Sequence, residues 1–218
     1  MSLWTGEAAQ QAMAATLSGA PRAITGISID TRTLQPGDLF FAIQGDARDG
    51  HEFVAAALQK GAAGAVVLRP RVAEFASHGT LYGVDDVLGA LVSLGLAARA
   101  RTQARIVAVT GSVGKTGTKE ALKALFEQQG RTHASVASYN NHWGVPLTLA
   151  RMPADTQFGI FEIGMNHANE ISPLVKMVRP HAAIITAIAP VHLENLGSIE
   201  AIADAKGEIF DGLSRDGV

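Results

Sequence analysis

The chain contains no cysteine. That excludes disulfides and thiolate metal sites and fits a reducing, cytoplasmic setting. It has no surplus of charge of either sign: 18 Lys and Arg stand against 20 Asp and Glu, a formal net charge of −2. No basic stretch points to nucleic acid or a membrane surface, so neither is expected as a partner. Long hydrophobic runs are missing too. The longest apolar segment, 87–98, is interrupted by glycines and too short to span a bilayer. The first residues lack a basic region followed by an apolar core, so no signal peptide is read there. There is no internal repeat and no low-complexity segment.

What is present is 218 residues, 47% hydrophobic, enough for one large or two modest domains with a sizeable core. Short pieces fill the first part. Residues 3–16 read as a helix, 24–29 and 38–43 as alternating strands, with Pro36-Gly37 as the turn between them. Residues 53–60 read as a helix stopped by Gly61, and 65–68 and 81–84 as strands. A helix over 85–100, capped by Asp85 or Asp86, leads into strand–helix repeats with strands at 106–110, 132–135, 158–163 and 183–187. Buried apolar runs alternating with helices predict a parallel, doubly wound sheet. The fold class is therefore α/β: a small amino-terminal α/β domain, 1–84, then a parallel-sheet phosphate-loop domain, 85–218. Residues 199–213 read as one amphipathic helix. Such a sheet usually has more strands than precede Val218, so the second domain is expected to be incomplete.

The most informative stretch is 106–116. A β-branched apolar strand ends at Thr110. Gly111, Ser112, Val113 and Gly114 make a turn, and Lys115, Thr116 and Gly117 open a helix over 116–129. That order is a phosphate-binding loop: backbone N–H groups and the helix start hold phosphate oxygens, Lys115 adds a charge, and the Thr116 hydroxyl ligates Mg²⁺. The strict pattern asks for glycine at 109, where the chain has Val109. A second signal is Glu162, a carboxylate at the end of an apolar strand, at the edge of the sheet where ligands bind. It faces the phosphate loop and holds Mg²⁺, or else it is a solvated strand end. His192, leaving the strand 183–187 at the same edge, is functional or structural. Asn140 and Asn141 open a segment that reads as a loop over a nucleotide or as a capped helix start. Lys206 lies in an amphipathic helix, where a lysine is ordinarily a solvated surface residue.

Taken together these residues resemble the Mur ligases of peptidoglycan synthesis. The run Thr-Gly-Ser-Val-Gly-Lys-Thr-Gly-Thr-Lys-Glu at 110–120 is similar to the family's ATP loop. The runs 140–149, 162–171, 189–194 and 205–208 resemble its D-alanyl-D-alanine-adding branch. Ser28-Ile29-Asp30-Thr31-Arg32, 36–42 and 45–53 resemble an amino-terminal pattern shared with the diamino-acid-adding branch. One departure is His142, where the family often has a carboxylate.

The resemblance implies an ATP-dependent ligase that joins D-alanyl-D-alanine to UDP-N-acetylmuramoyl tripeptide through an acyl phosphate. Lys115 and the loop amides would hold the β- and γ-phosphates, and Asn140 and Asn141 would help bind the nucleotide. Thr116 and Glu162 would bind one Mg²⁺, and His192 and Lys206 would serve a second, with Lys206 carbamylated. Catalytic roles would fall to Lys115, Lys206 and His192. Ser28, Asp30, Thr31, Arg32, Gly45, Asp49 and His51 would hold the UDP-linked substrate. The resemblance implies a third, carboxy-terminal domain, which is expected to be missing from this chain. The chain alone is therefore expected to bind ATP weakly, not to ligate, and to associate through an open sheet edge, whereas the complete ligase would be a monomer. The alternatives are another Mur-type ligase, folylpolyglutamate synthase, or a non-catalytic module binding nucleotide or UDP-sugar.

Overall fold

The computed structural model describes residues 2–45, 48–136, 138–191 and 193–218. It divides into two compact units, Met1–Ala97 and Ala98–Val218, and the division falls inside the helix Val87–Ala100.

The first unit is a five-stranded sheet in the order β1-β5-β4-β3-β2, built from β1 (Thr16–Ser18), β2 (Gly26–Ser28), β3 (Asp38–Phe41), β4 (Gly64–Leu68) and β5 (Leu81–Val84). Every pairing is parallel except β1 with β5. Helices α1 (Gly6–Ala12), α2 (Val54–Gln59) and α3 (Val72–Phe75) surround it. Phe40, Ala42, Ala65, Val67 and Leu81 pack against Val54 and Ala57 of α2. The predicted helix over 3–16 is corrected. Thr5 caps α1, Ala14 turns the chain at φ 49°, and β1 begins at Thr16. Edge pairing with β5 competes successfully with the helix propensity of an alanine-rich stretch, and the Thr16 hydroxyl donates to Gly83 O at 3.1 Å. Residue 24 lies outside β2 and makes an isolated bridge to Trp4.

The second unit is a parallel four-stranded sheet, order β7-β8-β6-β9. Its strands are β6 (Arg105–Thr110), β7 (Thr132–Ala134), β8 (Phe158–Glu162) and β9 (Ala182–Ile185). Helix α4 (Val87–Ala100) precedes it, and α5 (Lys115–Glu127), α6 (Gly144–Ala150) and α7 (Ile171–Val178) connect the strands. Right-handed crossovers put α5 on one face of the sheet and α6 and α7 on the other. Alternation along β8 agrees. Phe158 stacks on Phe126 of α5 with ring centroids 4.9 Å apart, while Phe161 joins Ile106, Ala108, Val145, Leu149, Leu174 and Val175 in the opposite core. Full burial of each such side chain contributes about 1.5–3 kcal/mol. The predicted helix over 199–213 becomes α9 (Ile199–Gly207), capped by Ser198, followed by a 3-10 turn, Glu208–Gly212. A short α8 (Leu193–Leu196) comes just before it. At β9's outer edge the last residue pairs with the sheet: Val218 N donates to His181 O and Val218 O accepts from Ala183 N.

β6 and β8 are neighbours whose connections leave on opposite faces. That is the switch point at which open α/β sheets bind ligands, and it is where the phosphate loop lies.

Candidate nucleotide site

β6 runs into the loop at Thr110. Gly111 takes φ 148° and Gly114 φ 86°, conformations that side-chained residues rarely adopt. At Gly111 a Cβ would also collide with the Thr186 hydroxyl. Gly114 then starts α5, whose first-turn N–H groups have no partner within the helix and are available to an anion. Lys115 reaches back over the loop, its Nζ donating to Gly111 O at 2.6 Å.

Beside the loop, Val109 pairs in register with Glu162 at the end of β8. Glu162 is 1% exposed. Its Oε2 accepts from the Thr116 hydroxyl at 2.9 Å and its Oε1 from Asn140 Nδ2 at 2.8 Å. Both of these donors are neutral, and they hold a buried carboxylate against the start of a phosphate-binding helix. That donor set suits Mg²⁺. Among the described residues no group of three or more His, Cys, Asp or Glu could hold a metal ion, so phosphate oxygens and water would have to complete its shell.

Lys206 is not a solvated surface lysine. It is 2% exposed, and burial, then the charge of Lys115, pushes its amine down to about 8. Two residues on, Glu208 accepts from Asn169 N at 2.6 Å, Ser172 N at 3.0 Å and Ile171 N at 3.1 Å. This carboxylate seals the start of α7 and ties α9 to it, which fixes where Lys206 can reach. His192 lies outside the described residues.

Other predicted residues do different work. Ser112 braces the loop: its amide donates to Ala187 O at 2.8 Å, and its hydroxyl donates to Ala189 O at 3.1 Å and accepts from Ala189 N at 3.0 Å. Neither donor is left for a phosphate. Asn141 lies just before α6, its Oδ1 accepting from Gly144 N at 2.9 Å, while its neighbour Asn140 reaches Glu162. Val113 is exposed, and Gly117 opens onto free space. Two residues outside the predicted set also belong here: the Thr186 hydroxyl donates to Val113 O at 2.5 Å, and Ser135 Oγ accepts from Glu162 N at 3.2 Å. A hydroxyl residue just past a strand at the ligand edge was the available signal for both.

In the first unit the loops after β2 and β3 leave the same edge of the sheet. Ser28 is buried, and its hydroxyl donates to Asp30 O at 3.0 Å. Asp30 grips Arg32 through Nε at 3.0 Å and Nη2 at 2.7 Å, and this pairing lowers the Asp30 carboxyl below the usual range. The Thr31 carbonyl accepts from Lys60 at 2.7 Å, and Gly45 N donates to Arg48 O at 2.9 Å. His51 turns inward. Its Nε2 accepts from Leu68 N at 3.0 Å, so its proton is on Nδ1, which donates to Asp49 at 2.7 Å. Both ring nitrogens are engaged inside the protein, and the ring braces the loop rather than facing a ligand.

Fold and loop together define a phosphate-loop α/β protein. Residues 109–218 match the Mur ligase middle domain, and residues 23–109 match the Mur ligase family catalytic domain. The chain belongs to the Mur ligase family. It is 41% identical over 192 residues to the UDP-N-acetylmuramoyl-tripeptide–D-alanyl-D-alanine ligase of Rickettsia prowazekii, covering 88% of this chain and 42% of that protein. It is 41% identical over 195 residues to the enzyme of the same name from Bacillus subtilis, covering 89% and 42%. Among solved structures, MurF from Acinetobacter baumannii aligns over 98% of this chain and 47% of its own, with a TM-score of 0.86 and 34% identity. MurF from Thermotoga maritima in complex with ADP aligns over 87% and 43%, with a TM-score of 0.73 and 26% identity. The chain thus spans about two fifths of the curated relatives it matches.

Proposed function

We propose that this chain carries the phosphate-handling and UDP-substrate parts of an ATP-dependent ligase. The reaction joins D-alanyl-D-alanine to UDP-N-acetylmuramoyl tripeptide in the cytoplasm, for peptidoglycan precursor synthesis. Residues 1–84 take the UDP-linked substrate and residues from 85 onward take ATP. The observation that carries this reading is the hydrogen bond from Thr116 to buried Glu162, which joins the phosphate loop to the carboxylate of the neighbouring strand. The named relatives support the choice of substrates.

Lys115 and the first-turn amides of α5 hold the β- and γ-phosphates in line with a substrate carboxylate. The carboxylate oxygen attacks the γ-phosphorus, the bond to the β-γ bridging oxygen breaks, and ADP leaves an acyl phosphate. The dipeptide amine then attacks the acyl carbon, loses a proton, and expels inorganic phosphate. Little covalent chemistry falls to the protein in the first step; orientation and charge neutralisation dominate. Mg²⁺ bound by Thr116 and Glu162 would neutralise charge on the β- and γ-oxygens. Lys206, carbamylated, and His192 would serve a second ion.

Calorimetric titration with ATP, with and without Mg²⁺, and with UDP-N-acetylmuramoyl tripeptide tests the reading. Saturable, Mg²⁺-dependent nucleotide binding that is weakened about 10-fold or more in Lys115→Ala is expected, together with separate binding of the tripeptide. No heat from either ligand at millimolar concentration would overturn it.

A further inference from the structure

Lys119 is a fully buried cation that the proposed chemistry does not use. It has no exposed surface, and holding an ammonium away from water is costly unless it is well bonded. Its Nζ donates to Ser135 O at 2.9 Å and pairs with Glu120 Oε1 at 2.9 Å. Ser135, just past β7, is itself fastened to β8: its amide donates to Ile160 O at 3.1 Å, and its hydroxyl accepts from Glu162 N at 3.2 Å. Further along the same segment, Asn140 binds both sides of the Glu162 turn. Its side chain donates to Glu162 Oε1 at 2.8 Å, and its carbonyl accepts from Gly164 N at 2.8 Å. Thr116 and Lys119 are three residues apart on α5 and so share one face of the helix. Thr116 meets the Glu162 carboxylate directly, and Lys119 meets, through Ser135, the backbone that aims it.

We propose that Lys119 is a positioning residue: by clasping the Ser135 carbonyl it sets α5 and the end of β8 in register, so that the Thr116 hydroxyl and the Glu162 carboxylate converge on one nucleotide-bound Mg²⁺. The inference rests on the functional reading above and deepens it. A lysine suits the task because its long stem lies in the packing between α5 and the sheet while its head binds a carbonyl that an apolar side chain would leave unpaired.

The test measures binding of a fluorescent ADP analogue to the 218-residue chain, in Mg²⁺ and in EDTA, so that the gain due to metal is read apart from affinity for the nucleotide. Lys119→Met and Ser135→Ala should each lose about 10-fold or more of the metal-dependent gain, the scale on which supporting hydrogen bonds act on metal affinity. Affinity in EDTA should be little changed, and Lys119→Arg should recover part of the gain. Ser135→Ala breaks the onward link from Ser135 to Glu162 N, and if Lys119→Met does not fold, Lys119→Gln, neutral and too short to hold the carbonyl as Lys119 does, carries the test of the clasp. Retention of the full gain in these variants overturns the proposal, as does an equal loss in Mg²⁺ and EDTA, which would make Lys119 a packing residue only. If the unaltered chain shows no metal-dependent gain, the functional reading falls with it.

Discussion

Thr116 and Glu162 are 46 residues apart in the chain, yet the Thr116 hydroxyl donates to Glu162 Oε2 at 2.9 Å. The bond exists because β6 and β8 are parallel neighbours whose ends reach the same edge of the sheet. Glu162→Gln tests what the charge does there. The amide keeps the shape and can satisfy both neighbours, since the Thr116 hydroxyl can turn to accept. The fold should therefore persist, while nucleotide binding loses its response to Mg²⁺. Loss of a charged ligand should cost at least what loss of a supporting hydrogen bond costs, about 10- to 100-fold in metal affinity. A magnesium titration of nucleotide binding reads this, and an unchanged response would remove Glu162 from the metal site.

Lys115→Ala should weaken nucleotide binding by about 1.5–3 kcal/mol, the scale of a hydrogen bond to a charged group. Without ligand, Lys115 braces its own loop through Gly111 O, so a small fall in thermal stability is expected as well. A large fall with unchanged nucleotide affinity would make it a structural residue.

His133 should make the second unit acid-sensitive. Its Nε2 lies 2.8 Å from the Thr148 carbonyl, and burial, helped by the charges of Arg151 and Lys123, pushes its imidazole down to about 4. Against an ordinary value near 6.5 the folded state binds the proton less readily than the unfolded chain. The stability it contributes is complete above about pH 6.5 and is lost as pH falls toward 4, by about 1–2 kcal/mol between pH 7 and 5. Burial lowers His181 too, so part of the slope belongs to it. Melting temperatures between pH 7.5 and 5 should fall, and fall less in His133→Gln, whose amide can keep the bond to Thr148. Equal slopes in both proteins would refute the assignment.

Lys206 should take up carbon dioxide. The reaction needs a neutral amine, and an amine held at about 8 is roughly half neutral at pH 8, against well under one per cent for an ordinary lysine. Labelling with ¹³C-bicarbonate should give a carbamate resonance that is absent from Lys206→Arg. If both proteins give the same spectrum, Lys206 serves as an unmodified amine.

Much of this was legible before the structure. The apolar strand, the glycine turn and the Lys-Thr pair are local in sequence, and a phosphate loop is a local object: its glycines are required by its own backbone angles. The alternation of apolar runs with helices likewise marked a parallel sheet, because strands buried on both faces lose the polar alternation of a half-exposed strand. Local reasoning failed where the partner is distant. Residues 13–16 are alanine-rich or neutral by propensity, yet the helix ends at Ala12, and only the free edge of β5 makes a strand of Thr16–Ser18. Ser112 and His51 sit in motifs that suggest ligand contact. Their polar atoms are instead taken up by Ala187, Ala189, Leu68 and Asp49, and no spacing rule shows which way such a side chain will turn.

By itself the sequence determined the class of the chain, the position of the phosphate loop and the identity of its lysine and threonine, since these depend on residue type and on neighbours along the chain. Tertiary structure alone decided that Glu162 meets Thr116, that Lys119 is buried against Ser135, and that Lys206 is buried, and near Lys115, so that its amine is lowered. Those facts follow from the order in which the strands pair and from the exclusion of water where they meet, and both arise only when distant segments pack together.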